Sequence, residues 1–525
     1  MQVRVMKYTQ PGTVNGGRYG LFSISRDRAG ASGWRKRLAR SLSGPAVISL
    51  LLVSGCGGDG GGSAPPPPPP PPPASIDIVS VGPVSAIGSV TVNGIRFDTG
   101  SSNVVMDDQP GNFLDLQVGM IVSVRGTLTP SSGAARANGI SYVSDANGVV
   151  TSIDMASNSF EVLGRTILVD EMTMFHNVTF DTLAEGNVVR VNGMWRSQER
   201  IQATHVERIA NTHTPGMMME VKGMISGLDP GTQHFFIGTQ SCDYSAATLE
   251  LGGATLENGL YVAVSGSEPM MSNGDLLLDR IQARDRDQDR DRLCSSDCDF
   301  ELEGYITRFV SPADFDVDNM PVSATSSTVY VNGTVDTLDL DVRVAVDGTL
   351  DSSGVLIAER IVFRLPSVIE IEADIEDIDA AAGTLVLLGV TVATNESTWF
   401  HDDSASDVWE FGLGDLAVGD RVEVRAYLDG TTVTASRLER EDADDSVTLK
   451  APVDAIARPS ITLLGITVIS TDGTVFQNEL QEVIDADAFF GLVSTDSIVR
   501  AEGSYDGTAI TASQMFLRDC SSDCL

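Results

Sequence analysis

One string constrains this chain more than any other feature: L-x-x-G-x-x-V-x-V-x-G, which returns six times with its internal spacing kept. It stands at Leu116, Gly119, Val122, Val124 and Gly126, then at Leu183, Gly186, Val189, Val191 and Gly193, then at Leu256, Gly259, Val262, Val264 and Gly266. Later copies drift: Leu338, Asp341, Val344, Val346, Gly348; Leu416, Gly419, Val422, Val424, Ala426; and Val493, Asp496, Val499, Ala501, Gly503. Valines two apart mark a strand with one buried face, and the Gly or Asp three residues ahead suits the turn leading into it. Recurrence every roughly 70–80 residues means one supersecondary unit repeated.

A second element lies upstream of each copy. An apolar residue is followed thirteen positions later by Thr, as in Phe160 and Thr173, Phe235 and Thr248, Phe315 and Thr328, Leu385 and Thr398, and Ile461 and Thr474; Val90 meets Asn103 instead. Each unit also opens on a small residue two ahead of an apolar one: Gly82, Gly148, Gly223, Gly304, Ala373 and Ala451. Each closes on an alternating segment such as Ile201-Gln202-Ala203. About five strands per unit follow, with no long helical pattern between them.

The fold class expected is all-β: a tandem array of six small antiparallel five-stranded β-barrels, OB-like, which bury their apolar faces by closing. The organisation expected is a leader and lipoprotein signal over 1–55, a Gly/Pro-rich linker over 56–75, and modules over 76–145, 146–212 and 217–284. A charged linker fills 285–299, further modules span 300–366, 369–440 and 447–518, and a short tail fills 519–525. Units this small are marginal alone, so neighbours are expected to dock on one another.

The first unit reads G-S-V-T-V-N-G-I-R-F-D-T from Gly88 to Thr99, then D-L-Q-V-G-M-I-V-S-V-R-G from Asp115 to Gly126. These strings closely resemble an uncharacterised bacterial family of domains of unknown function (DUF5666), found repeated in Gram-negative lipoproteins. The resemblance is strong for units one and two, fair for five, and weaker for three, four and six. It implies export and tandem arrangement, and it brings no site residues to transfer.

Ahead of the modules, Trp34-Arg35-Lys36-Arg37-Leu38-Ala39-Arg40 is a basic flank, and Ala46 to Val53 is a short apolar run ending in Ser54-Gly55-Cys56. This is the layout of a secretory signal, and the apolar run falls well short of the ~20 residues that a membrane-spanning helix needs. Val53-Ser54-Gly55-Cys56 resembles the bacterial lipoprotein processing box, which implies cleavage before Cys56 and its acylation. Gly57, rather than an aspartate, follows the cysteine and favours the outer membrane. Nine consecutive prolines, Pro65 to Pro73, make an extended spacer.

The net charge is -37, and residues 1–55 carry nine basic side chains against one acid, so the remainder holds -45. Such a chain repels phosphate backbones, which argues against a nucleic-acid partner.

Of six cysteines, Cys56 is assigned to the lipid. Cys242 takes a position that is Phe97, Ile167, Val322, Val392 or Val468 in the other units, so it is expected in a core. The remaining four form two C-S-S-D-C strings, Cys294–Cys298 and Cys520–Cys524. In an oxidising envelope a local disulfide in each is expected, with exchange between strings or a four-thiolate metal site as the alternatives.

Other chemistry is sparse. Asp285, Asp287, Asp289 and Asp291 alternate like the start of a calcium loop, but Arg290 and Ser296 stand where that loop needs Gly and an acid. His176 and His401, with Asp402 and Asp403 beside the latter, follow the aromatics of the Thr element and read as strand-end turns rather than metal ligands. No nucleophile elbow, P-loop or dinucleotide fingerprint occurs. The functional expectation is a non-catalytic, lipid-anchored envelope protein without a cofactor, structural or binding a polysaccharide or protein. An envelope hydrolase with one specialised module, or a calcium-stiffened adhesin stalk, are the alternatives.

Overall fold

A computed structural model describes residues 75–130, 132–197, 199–284, 298–495 and 497–518. Cys56, Cys294, Cys520, Cys524, the proline run and the Asp285–Asp291 alternation lie outside the described residues. Apart from four one-turn 3-10 helices and the short α-helix Ala486–Leu492, the described elements are strands.

The first module sets the pattern. Its strands are Ile76–Ala86, Val90–Val92, Ile95–Asp98, Ile121–Thr129 and Ala134–Tyr142, with an accessory strand at Asn103–Met106. The first pairs the second, the second pairs the third, and the third pairs the fifth; the fifth pairs the fourth, which returns to the first. The same ring forms in modules two, four and six. Module five breaks its first strand into Ile369–Asp374 and Asp377–Asp379, and module three breaks its fifth into Leu276–Leu277 and Arg280–Ala283. The order 1-2-3-5-4-1 is OB-like. The ladders are antiparallel around the expected barrel except the one between third and fifth strands, which is parallel. A ring with an odd number of strands cannot alternate in direction all the way round, so at least one ladder has to be parallel.

Each sequence element has a structural job. The leading Gly or Asp of the repeated string sits left-handed at Gly119, Gly186, Gly259, Asp341 and Gly419. Its amide donates to the first strand, as from Gly119 N to Val84 O at 2.9 Å and Gly186 N to Val150 O at 2.9 Å. The closing Gly lies at a bulge between fourth and fifth strands, where a Cβ on Gly348 would meet Ile357 O at 2.0 Å and one on Gly503 would meet Thr511 O at 2.1 Å. The carbonyl of the alanine at that bulge accepts from the conserved-spacing Thr: Thr173 Oγ1 to Ala203 O at 2.8 Å, and 2.7 Å for Thr328 to Ala358, Thr398 to Ala435 and Thr474 to Ala512. That hydroxyl therefore ties the third strand, or the segment just after it, to the fifth strand and satisfies a buried carbonyl.

The six barrels share strands rather than standing in a row. Three sheets form, joining modules one with four, two with three, and five with six. Each join uses first strands, just ahead of the opening small residue. Ile78–Val81 pairs Asp299–Leu302 in parallel, Ala146 and Asn147 pair Val221 and Glu220, and Glu370–Glu372 pairs Lys450–Thr448. Past Gly82 or its equivalent the same strand edge turns to its own second strand, because the small residue leaves room for the overlying hairpin: a Cβ on Gly82 would meet Asn93 Oδ1 at 2.6 Å. Cores follow the joins. Modules two and three share one apolar cluster, and modules five and six another. Val79 of module one is buried in the core of module four, while Met172, Met174 and Trp399 are buried in that of module one.

The bulge gives the first prediction. Gly348→Val should destabilise the protein by about 2–3 kcal/mol through forced overpacking against a backbone carbonyl. Chemical denaturation measures it, and an unchanged midpoint would contradict the close approach; module five, with Ala426 at this bulge, already carries one methyl.

Candidate functional site

Two places concentrate polar chemistry: the junction where modules two, five and six meet, and the outer face of module three.

On the outer face of the module five–six sheet, Arg500, Lys450, Glu370, Arg425 and Arg437 face one another across successive strands. The adjacent row on the same face is Glu502, Thr448, Glu372, Glu423 and Glu439. The basic row holds four cations against one carboxylate. Glu370 pairs Arg425 at 2.6 Å and Arg500 at 3.2 Å, and the charge of these arginines holds its carboxyl below the ordinary range despite burial. Module two supplies a second carboxylate: Glu171 reaches Arg425 at 3.3 Å and bonds Lys450, and its carbonyl accepts from Arg437 Nη1 at 2.7 Å. With Lys450 only 1% exposed, this contact is structural. Burying a cation requires a partner, so the pairing fixes which module docks here.

A second junction pins the linker between modules one and two. Asp145 accepts from Gly193 N at 2.9 Å, Trp195 Nε1 at 3.0 Å and Asn192 Nδ2 at 3.2 Å, while Trp195 N donates to Asp318 of module four at 2.8 Å. Burial pushes the Asp145 carboxyl up to about 7, with Asp318 adding to the rise. Between modules two, four and five lies a cavity of about 60 Å³ lined by Glu303, Arg343, Arg364, Trp399 and Tyr427 among others. Its arginines are held by one carboxylate, Arg343 Nε bonding Glu303 at 3.0 Å and Arg364 Nη2 bonding it at 2.5 Å, while Arg364 Nη1 donates to Ser397 at 3.1 Å. An open groove on module six, of about 610 Å³, is lined by Asp444, Ser446, Thr471, Ser504 and Ser513 and has no aromatic wall.

The sequence-predicted residues fall as follows. Cys242 is fully buried in a core and its thiol is pushed up to about 12 by that burial. Cys298 is 3% exposed and is not free; its three companions lie outside the described residues. His176 and His401 sit on the short accessory strands Met174–His176 and Trp399–Asp402, each beside the fifth strand of its own module. Asp402 is committed to Arg440, Ser404 and Val408 N, and those bonds outweigh burial to hold its carboxyl well below the usual range. His205 lies 1% exposed between modules one and two, bonded to Gln117 at 2.7 Å, and burial pushes it down to about 3. Among the described residues no three His, Cys, Asp or Glu side chains are placed to hold a metal ion. No helix among the described residues is long and apolar enough to cross a membrane.

Module three carries a group that sequence reasoning missed. His234, on the second strand His234–Ile237, faces Asp243 on the third strand Gln240–Asp243. His234 Nδ1 lies 2.7 Å from Thr232 O, which can only accept, so Nδ1 carries a proton. Nε2 then meets Asp275 Oδ2 at 3.1 Å and Asp243 Oδ2 at 4.0 Å. An imidazolium between two carboxylates satisfies all three groups, and the Thr232 bond, opposed by burial and helped by Asp275, raises the His234 pKa above its ordinary value. The available signal was departure from the repeat: the positions matching His234 in the other modules are Ser89, Ser159, Asp314, Thr384 and Ser460.

The geometry defines a class: a protein of tandem, strand-sharing OB-like barrels. The family model for the domain of unknown function DUF5666 matches residues 81–141, 147–207, 303–362, 372–439 and 450–515, more than half of the chain, which therefore belongs to that family. Module three lies outside those matches yet has the same strand order. No curated protein matches the chain. A solved structure titled Drosophila Unr CSD456 is similar at 10% identity over 41% of this chain and 98% of its own, with a TM-score of 0.13, a level at which the likeness carries no argument.

Two predictions follow from these sites. Glu171→Gln should cost about 3 kcal/mol, since it leaves a buried lysine and arginine short of a counter-charge; denaturation midpoints measure this, and a loss below about 0.5 kcal/mol would mean the docking does not depend on it. Selective histidine NMR should find His205 neutral at pH 5 and His234 still charged somewhat above the ordinary histidine range. The signs differ in consequence. The depressed His205 contributes stability that is present above its unfolded pKa and lost as pH falls towards about 3, whereas the raised His234 contributes stability lost as pH rises through its folded pKa.

Proposed function

We propose that this chain is a non-catalytic scaffold of the cell envelope, held to the membrane by lipid on Cys56 and set off from it by the proline run. Tandem repetition of one domain fits a structural role, and the observation that carries the reading is the sharing of strands and cores between barrels. That sharing turns six marginal units into one body. Local disulfides at Cys294–Cys298 and Cys520–Cys524 suit an oxidising compartment, where a buried, engaged Cys298 is at home. The outward surface, acidic as a whole, takes a polysaccharide or a protein rather than nucleic acid.

The test is metabolic labelling with palmitate in a Gram-negative host. Label should enter the wild-type protein and be absent from Cys56→Ala. No incorporation, or equal incorporation into both, would refute the anchor.

A further inference from the structure

Phe236 is 42% exposed on the outer face of module three, two residues along the same strand from His234. Its ring lies over Gly227, where a Cβ would come within 3.0 Å of Phe236 Cδ2, so the ring is seated against backbone with one side towards solvent. The matching positions in the other modules are Thr91, Glu161, Asp316, Val386 and Thr462, so an aromatic stands here in this module alone. Across the hairpin, Phe236 faces Ser241 and His234 faces Asp243.

The connection between fourth and fifth strands is also peculiar to this module. It runs over nine residues, 267–275, against two to five in the others. Two bonds hold it down onto the hairpin, Gln240 Nε2 to Gly274 O at 2.9 Å and His234 Nε2 to Asp275 Oδ2 at 3.1 Å, and within the loop Asn273 Nδ2 donates to Asp275 Oδ2 at 2.6 Å. An exposed ring beside fixed carboxylate, imidazole and amide groups thus lies on the second- and third-strand face, next to the fourth–fifth loop. OB-like barrels use that face and that loop to take extended ligands.

We propose that this face of module three, built on Phe236, His234, Asp243, Asn273 and Asp275, binds a glycan that carries no negative charge. The proposal deepens the ligand-binding part of the function proposed above and rests on it. A sugar ring offers an apolar C–H face that stacks on an aromatic ring and hydroxyls that donate to carboxylates; Asp275 and Asp243 accept, and His234 and Asn273 orient them. Two carboxylates against one imidazolium leave the site net negative, as is the chain at -37, so uronates and phosphorylated sugars are repelled and neutral or amino sugars are not. Asp275 Oδ2 is shared by His234 and Asn273, and Asp243 Oδ1 accepts from Ser245 N at 2.8 Å, so a ligand meets the carboxylates only through the 11% and 15% of their side chains that face solvent, with Phe236 as its main contact.

Calorimetric titration of the full-length purified protein with glucosamine hexamer, maltohexaose and hexagalacturonate tests this. Binding of the amino or neutral hexamer is expected, weakened at least tenfold by Phe236→Ala and by Asp275→Asn, and kept by Phe236→Trp, with unfolding midpoints of the variants confirming the fold. Binding only to hexagalacturonate, binding to none of the three, or equal binding by wild type and both weakening variants would overturn the proposal, the last placing the site elsewhere, such as the module six groove. Palmitate incorporation is read on the same wild-type protein, so loss of glycan binding with labelling intact removes this site and leaves the anchored scaffold standing.

Discussion

The structure depends on how the first strand of each module divides its hydrogen bonds. One edge runs against the fourth strand throughout. The other edge is split: its leading half pairs with the first strand of another module, and its trailing half pairs with its own second strand. The split falls at a glycine or alanine, because only a small residue lets the second–third hairpin fold down at the bend. Without that bend the barrel could not close and the leading half would be an exposed edge, the feature that sheet proteins otherwise have to protect against aggregation. Joining modules is thus a solution to an edge problem as well as a way to enlarge small cores.

Which modules join is set by what stands on the outer faces. The chain is strongly acidic, yet at the join of modules five and six Arg425, Arg437, Arg500 and Lys450 form a row that needs carboxylates from elsewhere. Glu370 comes from the same sheet and Glu171 from module two. Desolvated pairs of this kind add little net stability compared with apolar contacts, but a wrong partner would leave buried cations uncompensated. They therefore act on specificity, selecting one arrangement of six similar barrels over the alternatives. The module that sets an exposed phenylalanine beside a His234–Asp243 pair is also the one outside the family matches.

The strand content, the five-strand ring and the small opening residue were legible because they are local: a period of two, a turn residue, and a missing side chain leave marks in a single sequence. The Thr element was legible as a spacing but not as chemistry, since the carbonyl that Thr398 bonds belongs to Ala435, far along the chain. The one parallel ladder in each OB-like ring left no mark of its own, because it follows from closing an odd number of strands and not from any local propensity. Partner choice was beyond reach: nothing near Ser80 announces that it will lie beside Glu301, because that pairing reflects complementarity of whole faces. Module three was recognisable as divergent, but a search for shared positions discards the residues that only one copy has, and His234 and Phe236 were lost that way.

The most direct measurement concerns the join between modules one and four, whose register sets Ser80 beside Glu301 in a buried parallel ladder, with Ser80 Oγ 3.2 Å from Glu301 Oε2. Neighbouring residues in such a ladder are within the Cα separation a disulfide spans. A Ser80→Cys, Glu301→Cys double variant, oxidised and read by non-reducing peptide mass spectrometry, should give a cross-link between these two positions. A folded double variant with both introduced thiols free, or bridged instead to other modules, would contradict strand sharing and return the protein to a string of separate barrels.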